Sequence, residues 1–224
     1  MPNNTITSNE TIITIIRKIF DDYDEKNGAM QKIDYTKRAT AIVDTWQKAM
    51  NGKGLTTELI CELHRIICDD VYIPINDSKG GISGFAKAGE YREIQVISPS
   101  ALYEGSKIVH FQPKDISANM ERLISTMSGV LASSLQKEIL IENIIAFILE
   151  LLTIHPFVNQ NGRISQVLME LFAYHLGIEA FNISNAVKKD KKAIVIAEEK
   201  AIITQNVNIF LKTIRQINKN AGVA

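Results

Sequence analysis

The sequence predicts a mainly helical, all-α fold that carries one small β-hairpin. Apolar residues recur at intervals of three and four along most of the chain, which is the spacing of amphipathic helices. Residues 77–113 break this pattern with five glycines and two short β-prone runs, Tyr91–Ile97 and Lys107–Phe111. A single hairpin is too small to have its own core, so we expect it to be an arm on a helical body.

Each predicted helix rests on its own apolar stripe. The most apolar run, Ile139–Ile154, predicts a buried helix, because it is shorter than the roughly 20 residues that a membrane span needs. Asp115 is a candidate N-cap for the helix before it, and Gly177 is a natural end for the helix after it. The predicted helices cover, in order, residues about 39–50, 59–67, 116–127, 136–154, 162–175 and 203–214.

Composition excludes several classes of protein. Lys+Arg and Asp+Glu both number 25, and this balance argues against a nucleic-acid partner, which usually requires a basic excess.

Cys61 and Cys68 lie on one helix face, about 10 Å apart at about 1.5 Å per residue, which is too far for a disulfide. They indicate a reducing compartment. The polar N-terminus lacks the layout of a secretory signal.

The segment from His155 to Gln166 is the candidate chemical site. Pro156 disfavours helical geometry at His155, so the histidine is expected at a helix end with its ring facing a cleft. A new helix starting near Gly162 offers free N–H groups and a positive dipole end, and Arg163 adds a cation suited to phosphate. His155 is the candidate general base. The alternative is a core histidine at a helix boundary.

This segment resembles the signature of the Fic family. That signature reads His-Pro-Phe, any residue, an acid, Gly, Asn, Gly, Arg, two residues of any kind, then Arg. The matching residues are His155, Pro156, Phe157, Asn161, Gly162 and Arg163. Gly89–Arg92 also resembles the start of the Fic flap. The order of elements is similar to the family across roughly residues 35–180, so the resemblance implies a Fic core there with its flap at about 89–112. It leaves a helical extension over 1–34 and C-terminal helices over 181–224.

The resemblance implies a transferase that moves AMP from ATP onto a Ser, Thr or Tyr hydroxyl of a target protein. His155 would activate the hydroxyl, and Asn161, Gly162 and Arg163 would hold the donor's phosphates, bridged by Mg²⁺. The flap would bind the target as an added strand. The flap residues predicted to bind the target are Tyr91, Ile94, Val96 and His110.

Three positions depart from the family signature, and all three weaken the grip on a magnesium-bound triphosphate. Asn159 replaces the acid that binds the metal, so it remains only a weak candidate metal ligand. Gln160 replaces a glycine beside the phosphates, and Gln166 replaces the second arginine. Either the donor differs, for example CDP-choline or UTP, or the domain is a catalytically silent scaffold that binds a partner. Survival of His155 favours activity.

The setting expected for such a protein is bacterial. The Ile-, Asn- and Lys-rich composition is typical of AT-rich bacterial genomes, so we expect the bacterial cytoplasm or translocation into a host cell. A growth-arrest toxin held by a separate antitoxin is a further hypothesis. Ser100–Gly105 matches the family's inhibitory motif literally, but it falls in the predicted hairpin and not on a helix. We therefore expect no built-in inhibitory helix.

Overall fold

Eight helices and two antiparallel strand pairs form the part of the protein described by the computed structural model, which is residues 8–27, 34–69, 72–76 and 82–220. A 3₁₀ turn, Pro113–Asp115, precedes α4. The elements are α1 Asn9–Asn27, α2 Thr36–Met50, α3 Thr57–Ile67, β1 Tyr72–Asn76, β2 Ile82–Lys87, β3 Ile97–Pro99, β4 Lys107–Val109, α4 Ile116–Leu131, α5 Lys137–Ile154, α6 Asn161–His175, α7 Ile183–Thr204 and α8 Val207–Asn220.

Helix α5 is the centre of the fold. Its middle and C-terminal turns are buried, and it packs against α4, α6, α7 and α8. Phe147 of α5 meets Phe172 of α6 edge-on at 5.1 Å, and Phe172 meets Trp46 of α2 at 5.2 Å. This aromatic row joins α2, α5 and α6. Among the described residues, no helix combines the length and apolar character needed to cross a bilayer.

The predictions of the two helices that flank the candidate chemical site are confirmed. The buried helix was predicted over about 136–154 and spans Lys137–Ile154, and the next was predicted over 162–175 and spans Asn161–His175. Gly177 ends α6 with a positive φ of 61°, and the N–H of Ile178 bonds to the Ala173 carbonyl at 3.0 Å. Both cysteines are free thiols, as expected from their spacing.

Two helix ends differ from the predictions. Asp115 makes no side-chain cap for α4, because it is the last residue of a 3₁₀ turn and already has near-helical backbone angles. The stripe predicted over 203–214 belongs to two helices. Gln205 adopts the left-handed conformation with φ 51°, which ends α7, and Asn206 accepts a bond from Asn208 N–H that starts α8.

The predicted helical fold with a small hairpin is confirmed, but that hairpin is not alone, because the described residues contain two antiparallel strand pairs. β1 pairs with β2 in a region where the sequence predicts no strands, because Pro74 and Gly84 both weaken the strand signal. β3 pairs with β4 in the register Ile97–Val109 and Pro99–Lys107. The strand predicted over 91–97 exists only at its last residue, because the chain before it is bound to the end of α5, as described below.

The helical extension predicted over 1–34 is described only in part. Within it, α1 packs on α2, α6 and α7, and Ile12, Ile16 and Phe20 are buried. Residues 1–7 and 28–33 of the predicted extension lie outside the described residues. The C-terminal helices α7 and α8 pack on each other and on α5. The division of the chain into these three parts stays a prediction.

Candidate active site

His155 lies at the junction that the sequence predicted, one residue after α5. Its backbone is left-handed, with φ 53° and ψ 59°, a conformation that costs a non-glycine residue of the order of 1 kcal/mol and that clusters at functional sites. Its Nδ1 lies 3.3 Å from the Leu152 carbonyl, which can only accept, so Nδ1 carries the proton. Nε2 is left with its lone pair and makes no hydrogen bond with the described residues.

The surroundings of His155 keep its ring neutral. Burial, and then the nearby ring of His110, lower the pKa of His155 to about 4 from its ordinary 6.5, with the Arg92 guanidinium acting in the same direction. The hydrogen bond to Leu152 opposes this shift. Nε2 of His155 is therefore available as a proton acceptor at any pH above about 5.

His110 lies directly against His155. It follows β4, is only 9% exposed, and its ring stacks on that of His155 at 4.0 Å between centroids. Its Nδ1 faces the Thr153 carbonyl at 3.3 Å, so its Nε2 accepts from the Ser98 hydroxyl at 2.8 Å. His110 is predicted to bind the target, whereas in the structure its ring faces the candidate base. Burial lowers the pKa of His110 as well.

Arg92 joins the flap to the end of α5. Its guanidinium is 2% exposed and donates to the carbonyls of His155 at 2.6 Å and Ile154 at 3.2 Å. It also donates to the carbonyls of Ile94 at 2.7 Å and Phe111 at 2.6 Å, one at the start and one at the end of the flap. A cation at a helix C-terminus is favoured by the helix dipole. Arg92 therefore holds His155 and both sides of the flap base together.

The loop after His155 is closed by buried side chains. The Asn161 amide accepts from Phe157 N–H at 3.1 Å and donates to the Phe157 carbonyl at 2.8 Å. Phe157 is fully buried and stacks on His64 at 3.8 Å. Because its side-chain amide is used in this way, Asn161 can offer a phosphate only its backbone N–H.

His64 is a third histidine of the site, and it was not among the predicted site residues. It accepts from Gly89 N–H at 3.0 Å and donates to the Asn159 carbonyl at 3.1 Å, so it bridges the flap base and the loop. Burial lowers its pKa to about 4. Gly89 has φ 83°, and a Cβ there would lie 2.8 Å from the Cys61 carbonyl, so this position requires glycine.

The start of α6 is the candidate anion site. The backbone N–H groups of Asn161 and Gly162 have no acceptor among the described residues, and Gly162 is exposed with open space around it. Arg163 is half-buried, with its guanidinium carbon 5.4 Å from the Phe20 ring of α1. Gln166 lies one turn further along α6 and is also half-buried.

Asn159 does not form a preformed magnesium site. Its side chain is exposed and its Oδ1 accepts from Gln160 N–H at 2.7 Å. The residues that the structure describes contain no cluster of three or more His, Cys, Asp or Glu that could hold a metal ion. A neutral oxygen already used by the backbone is a poor ligand for Mg²⁺, so the residues present do not fit a protein-held ion.

Gln160 directly precedes the candidate anion site. It caps α6 in the left-handed conformation with φ 61°, where the family signature has glycine. We expect Gln160→Gly to stabilise the fold by about 0.5–1 kcal/mol and to bind ATP severalfold more tightly, because it removes backbone strain and a side chain together. Thermal unfolding and calorimetric titration with ATP measure the two effects.

Gln205→Gly is the matched control for Gln160→Gly. Gln205 has nearly the same backbone angles, with φ 51°, but lies at the end of α7. It should gain similar stability with no change in ATP affinity. An equal change in ATP affinity for both variants would contradict the assignment of Gln160 to the anion site.

The predicted target-binding residues do not share one face. Tyr91 packs on Phe157 at 5.7 Å, and its hydroxyl is buried. Ile94 and Val96 are half-buried in the irregular segment before β3. The outward apolar face of the hairpin is the pair Ile97 and Val109, which lie opposite each other and are 52% and 63% exposed.

The chain is similar to known proteins in its sequence family and in its fold. A family model described as the Fic/DOC family matches residues 54–173, more than half of the chain. No curated protein matches the sequence. Among solved structures, a Fic domain containing signaling protein from Bacteroides thetaiotaomicron VPI-5482 aligns with a TM-score of 0.58 at 16% identity, over 94% of this chain and 88% of that one.

Two further solved structures share the fold. A Fic family protein from Desulfovibrio desulfuricans G20 aligns with a TM-score of 0.61 at 14% identity, over 93% of this chain; the chain spans only 64% of that protein. The N-terminal Fic domain of a Bartonella effector protein, from Bartonella sp. AR 15-3, aligns with a TM-score of 0.50 at 15% identity, over 86% and 83% of the two chains. At these identities the likeness shows the fold alone.

Proposed function

Because the chain belongs to the Fic/DOC family, we propose that it is a transferase that moves a nucleotide-derived phosphoryl moiety onto a Ser, Thr or Tyr hydroxyl of a target protein. AMP from ATP is the default moiety. The observation that carries the proposal is the state of His155, a neutral ring whose Nε2 keeps a free lone pair, on the same loop as the open N–H groups of α6.

The proposed step uses His155 as general base. The target hydroxyl oxygen attacks the α-phosphorus of ATP and forms the new P–O bond, while its proton passes to Nε2 of His155. The bond between the α-phosphorus and the oxygen bridging to the β-phosphate breaks, and pyrophosphate leaves. The N–H groups of Asn161 and Gly162 and the cation of Arg163 are suited to stabilising the phosphate charge.

The identity of the donor is the finer part of the proposal. Gln160 and Gln166 stand where the family has a glycine and an arginine, and both changes disfavour a bound triphosphate. A diphosphate donor such as CDP-choline, or UTP in place of ATP, is therefore the first alternative. The same departures, with the engaged Asn159 side chain, favour the second candidate function, a silent scaffold that binds a partner without turnover.

The target protein is proposed to bind at the flap as an added strand. Strand addition takes affinity from backbone hydrogen bonds and specificity from alternate side chains. The exposed pair Ile97 and Val109 gives the edge an apolar face for such a segment.

We place this activity in the bacterial cytoplasm or in a host cell after translocation. A separate antitoxin that co-purifies with the chain would support a growth-arrest role.

Intact-mass measurement with separate donors tests the proposal. The protein is incubated with ATP, UTP, GTP, CTP or CDP-choline, with Mg²⁺ or Mn²⁺ and a bacterial lysate as the source of target. We expect one donor to give a mass increment on the chain or on a lysate protein, and the increment names the moiety. No increment with any donor, together with tight retention of a lysate protein, would contradict the transferase function and support the silent scaffold that binds a partner.

The pH dependence of transfer should follow the depressed pKa of His155. A histidine whose pKa is lowered to about 4 is in its base form above that value, so the rate should stay level down to about pH 5 and fall only below it. His110→Ala exposes His155 and removes its neighbouring ring, so the acidic limb should move up toward 6.5, the ordinary pKa of histidine. A pH–rate profile of label transfer measures this shift.

His175→Ala is the control for the pH prediction. His175 lies at the other end of α6 and meets Trp46 edge-on at 6.3 Å. Its removal should leave the acidic limb unchanged. An acidic limb near pH 6.5 in the unmodified protein, or one that His110→Ala does not move, would contradict the proposed role of His110.

A further inference from the structure

The tip of the flap, residues 100–106, is attached to the C-terminal helices by one carboxylate. Glu199 of α7 is 7% exposed. Its Oε1 accepts from the Ser100 hydroxyl at 2.5 Å, and its Oε2 accepts from the N–H groups of Ala101 at 2.6 Å and Leu102 at 3.1 Å. All three donors belong to consecutive residues of the flap tip. We call this set of contacts the tip anchor.

The anchored tip has a defined conformation. Ser100 N–H donates to the Ser106 carbonyl at 3.0 Å, and the Ser100 hydroxyl accepts from Tyr103 N–H at 3.0 Å. Gly105 supplies a positive φ of 76°. Beside the anchor, Leu102 and Tyr103 face Ile203 and Ile209 across a cavity of about 390 Å³. The flap tip, α7 and α8 therefore line one cavity beside the tip anchor.

Joining two surfaces through a buried carboxylate has a large desolvation cost. Removing a charge from water is costly unless it is fully hydrogen-bonded, and apolar side chains would join the same elements without that cost. Among the described residues, no Lys or Arg forms an ion pair with Glu199. Its charge is stabilised by the flap-tip donors, so it favours the one tip conformation that presents all three of them.

We propose that Glu199 is a positioning residue for the target protein: it fixes the flap tip to α7, so that the β3–β4 edge is already formed when a target strand arrives. The proposal rests on the transferase function proposed above. β3 and β4 pair over only three residues each, a ladder too short to be stable alone, and Ser100 directly follows the last residue of β3. An edge that is ordered before binding costs less entropy when the target binds.

Three variants of the full chain test the tip anchor. Glu199→Ala removes all three acceptor contacts. Glu199→Gln should keep them, because its carbonyl can accept from both N–H groups while its amide donates to the Ser100 oxygen. Glu170→Ala is the matched control: Glu170 is a buried carboxylate of α6 that accepts from Phe181 and Ile183 N–H and has no contact with the flap tip.

The first measurement is amide hydrogen exchange at Ala101 and Leu102, followed by NMR. Ala101 N–H has its acceptor in Glu199, and hydrogen bonds to a charged acceptor are among the stronger ones, so we expect exchange at Ala101 to accelerate on the order of tenfold or more in Glu199→Ala. Leu102 N–H also bonds to the Ser100 hydroxyl at 3.2 Å, so exchange there should accelerate less. Glu199→Gln keeps an acceptor without the charge, so its exchange at these amides should lie between those of Glu199→Ala and the wild type. Glu170→Ala should exchange at these amides as the wild type does. Unchanged exchange in Glu199→Ala would overturn the anchor, and this readout needs no donor and no target.

The second measurement is the rate of label transfer against the concentration of lysate protein, with the donor that labels in the mass experiment. For Glu199→Ala we expect the half-saturating lysate concentration to rise severalfold while the plateau rate and the affinity for that donor stay as in the wild type. Glu199→Gln should restore the wild-type value. An unchanged half-saturating concentration would overturn the positioning role alone. A wild-type chain that labels nothing would contradict the transferase function and the positioning role with it.

Discussion

A His155→Asn variant should lose label transfer by about 10²- to 10⁴-fold, the usual contribution of a general base. Asparagine is the better replacement than alanine for this test, because it tolerates the left-handed backbone that His155 adopts at φ 53°. It also offers no group that can take a proton from a hydroxyl near neutral pH. The rate of mass increase on the labelled protein measures the loss.

The fold of the His155→Asn variant should be intact. Arg92 binds the His155 backbone carbonyl and not its ring, and that contact survives the substitution. Above pH 7 the melting temperature should therefore stay within a few degrees of the wild type, because the lowered pKa of His155 costs stability only below its ordinary value of 6.5. A His175→Asn variant controls for the loss of a histidine elsewhere. Transfer within tenfold of wild type in His155→Asn would contradict a base at this position.

The sequence predicts a helix best when its apolar pattern continues over many turns and ends at a clear stop signal. In α5, eighteen residues contain a nearly unbroken apolar run, and Pro156 marks the end, so its bounds were predicted to within a residue. The signal fails where one stripe continues through a break. Ile203 and Val207 have the right spacing for a single helix, yet Gln205 and Asn206 between them end one helix and begin the next.

The flap was mispredicted because its conformation is set by contacts that are distant along the chain. Tyr91–Val96 has β-prone residues, but Arg92 donates its backbone N–H to the Pro156 carbonyl and its side chain to carbonyls 62 and 63 residues away. Residue preference cannot indicate such a contact. The β1–β2 pair was missed for a local reason, since Pro74 and Gly84 are both unfavourable in strands.

In the candidate site, the sequence indicated the loop and a place for His110 on the flap, but neither His64 nor the contact between His110 and His155. His155 and the start of α6 lie within one short segment, so a proline and a glycine sufficed to place them. His110 is 45 residues earlier and His64 is 91 residues earlier, and their contacts with His155 and Asn159 depend on how the flap and α3 pack. The only local signal was the position of His110 on the predicted second strand of the flap.

An Arg92→Ala variant should be the most destabilised single variant of this site, by about 3–5 kcal/mol. The substitution leaves the carbonyls of His155, Ile154, Ile94 and Phe111 without their shared donor, and buried acceptors without partners cost about 1–3 kcal/mol each when water cannot reach them. Chemical denaturation measures the loss. Transfer should fall as well, because both sides of the flap base are released from His155.

Two arginine variants separate this role from a general effect of charge. Arg92→Lys keeps the charge, but its ammonium has three donors and no planar fork, so it should recover only part of the lost stability. Arg122→Ala removes an exposed arginine that pairs with Glu150 across α4 and α5, and it should cost at most about 1 kcal/mol. The contradicting result is that Arg92→Ala proves no more destabilising than Arg122→Ala. That result would mean that water hydrates the four carbonyls in the variant and that the packing of Phe157 on His64 holds the flap base.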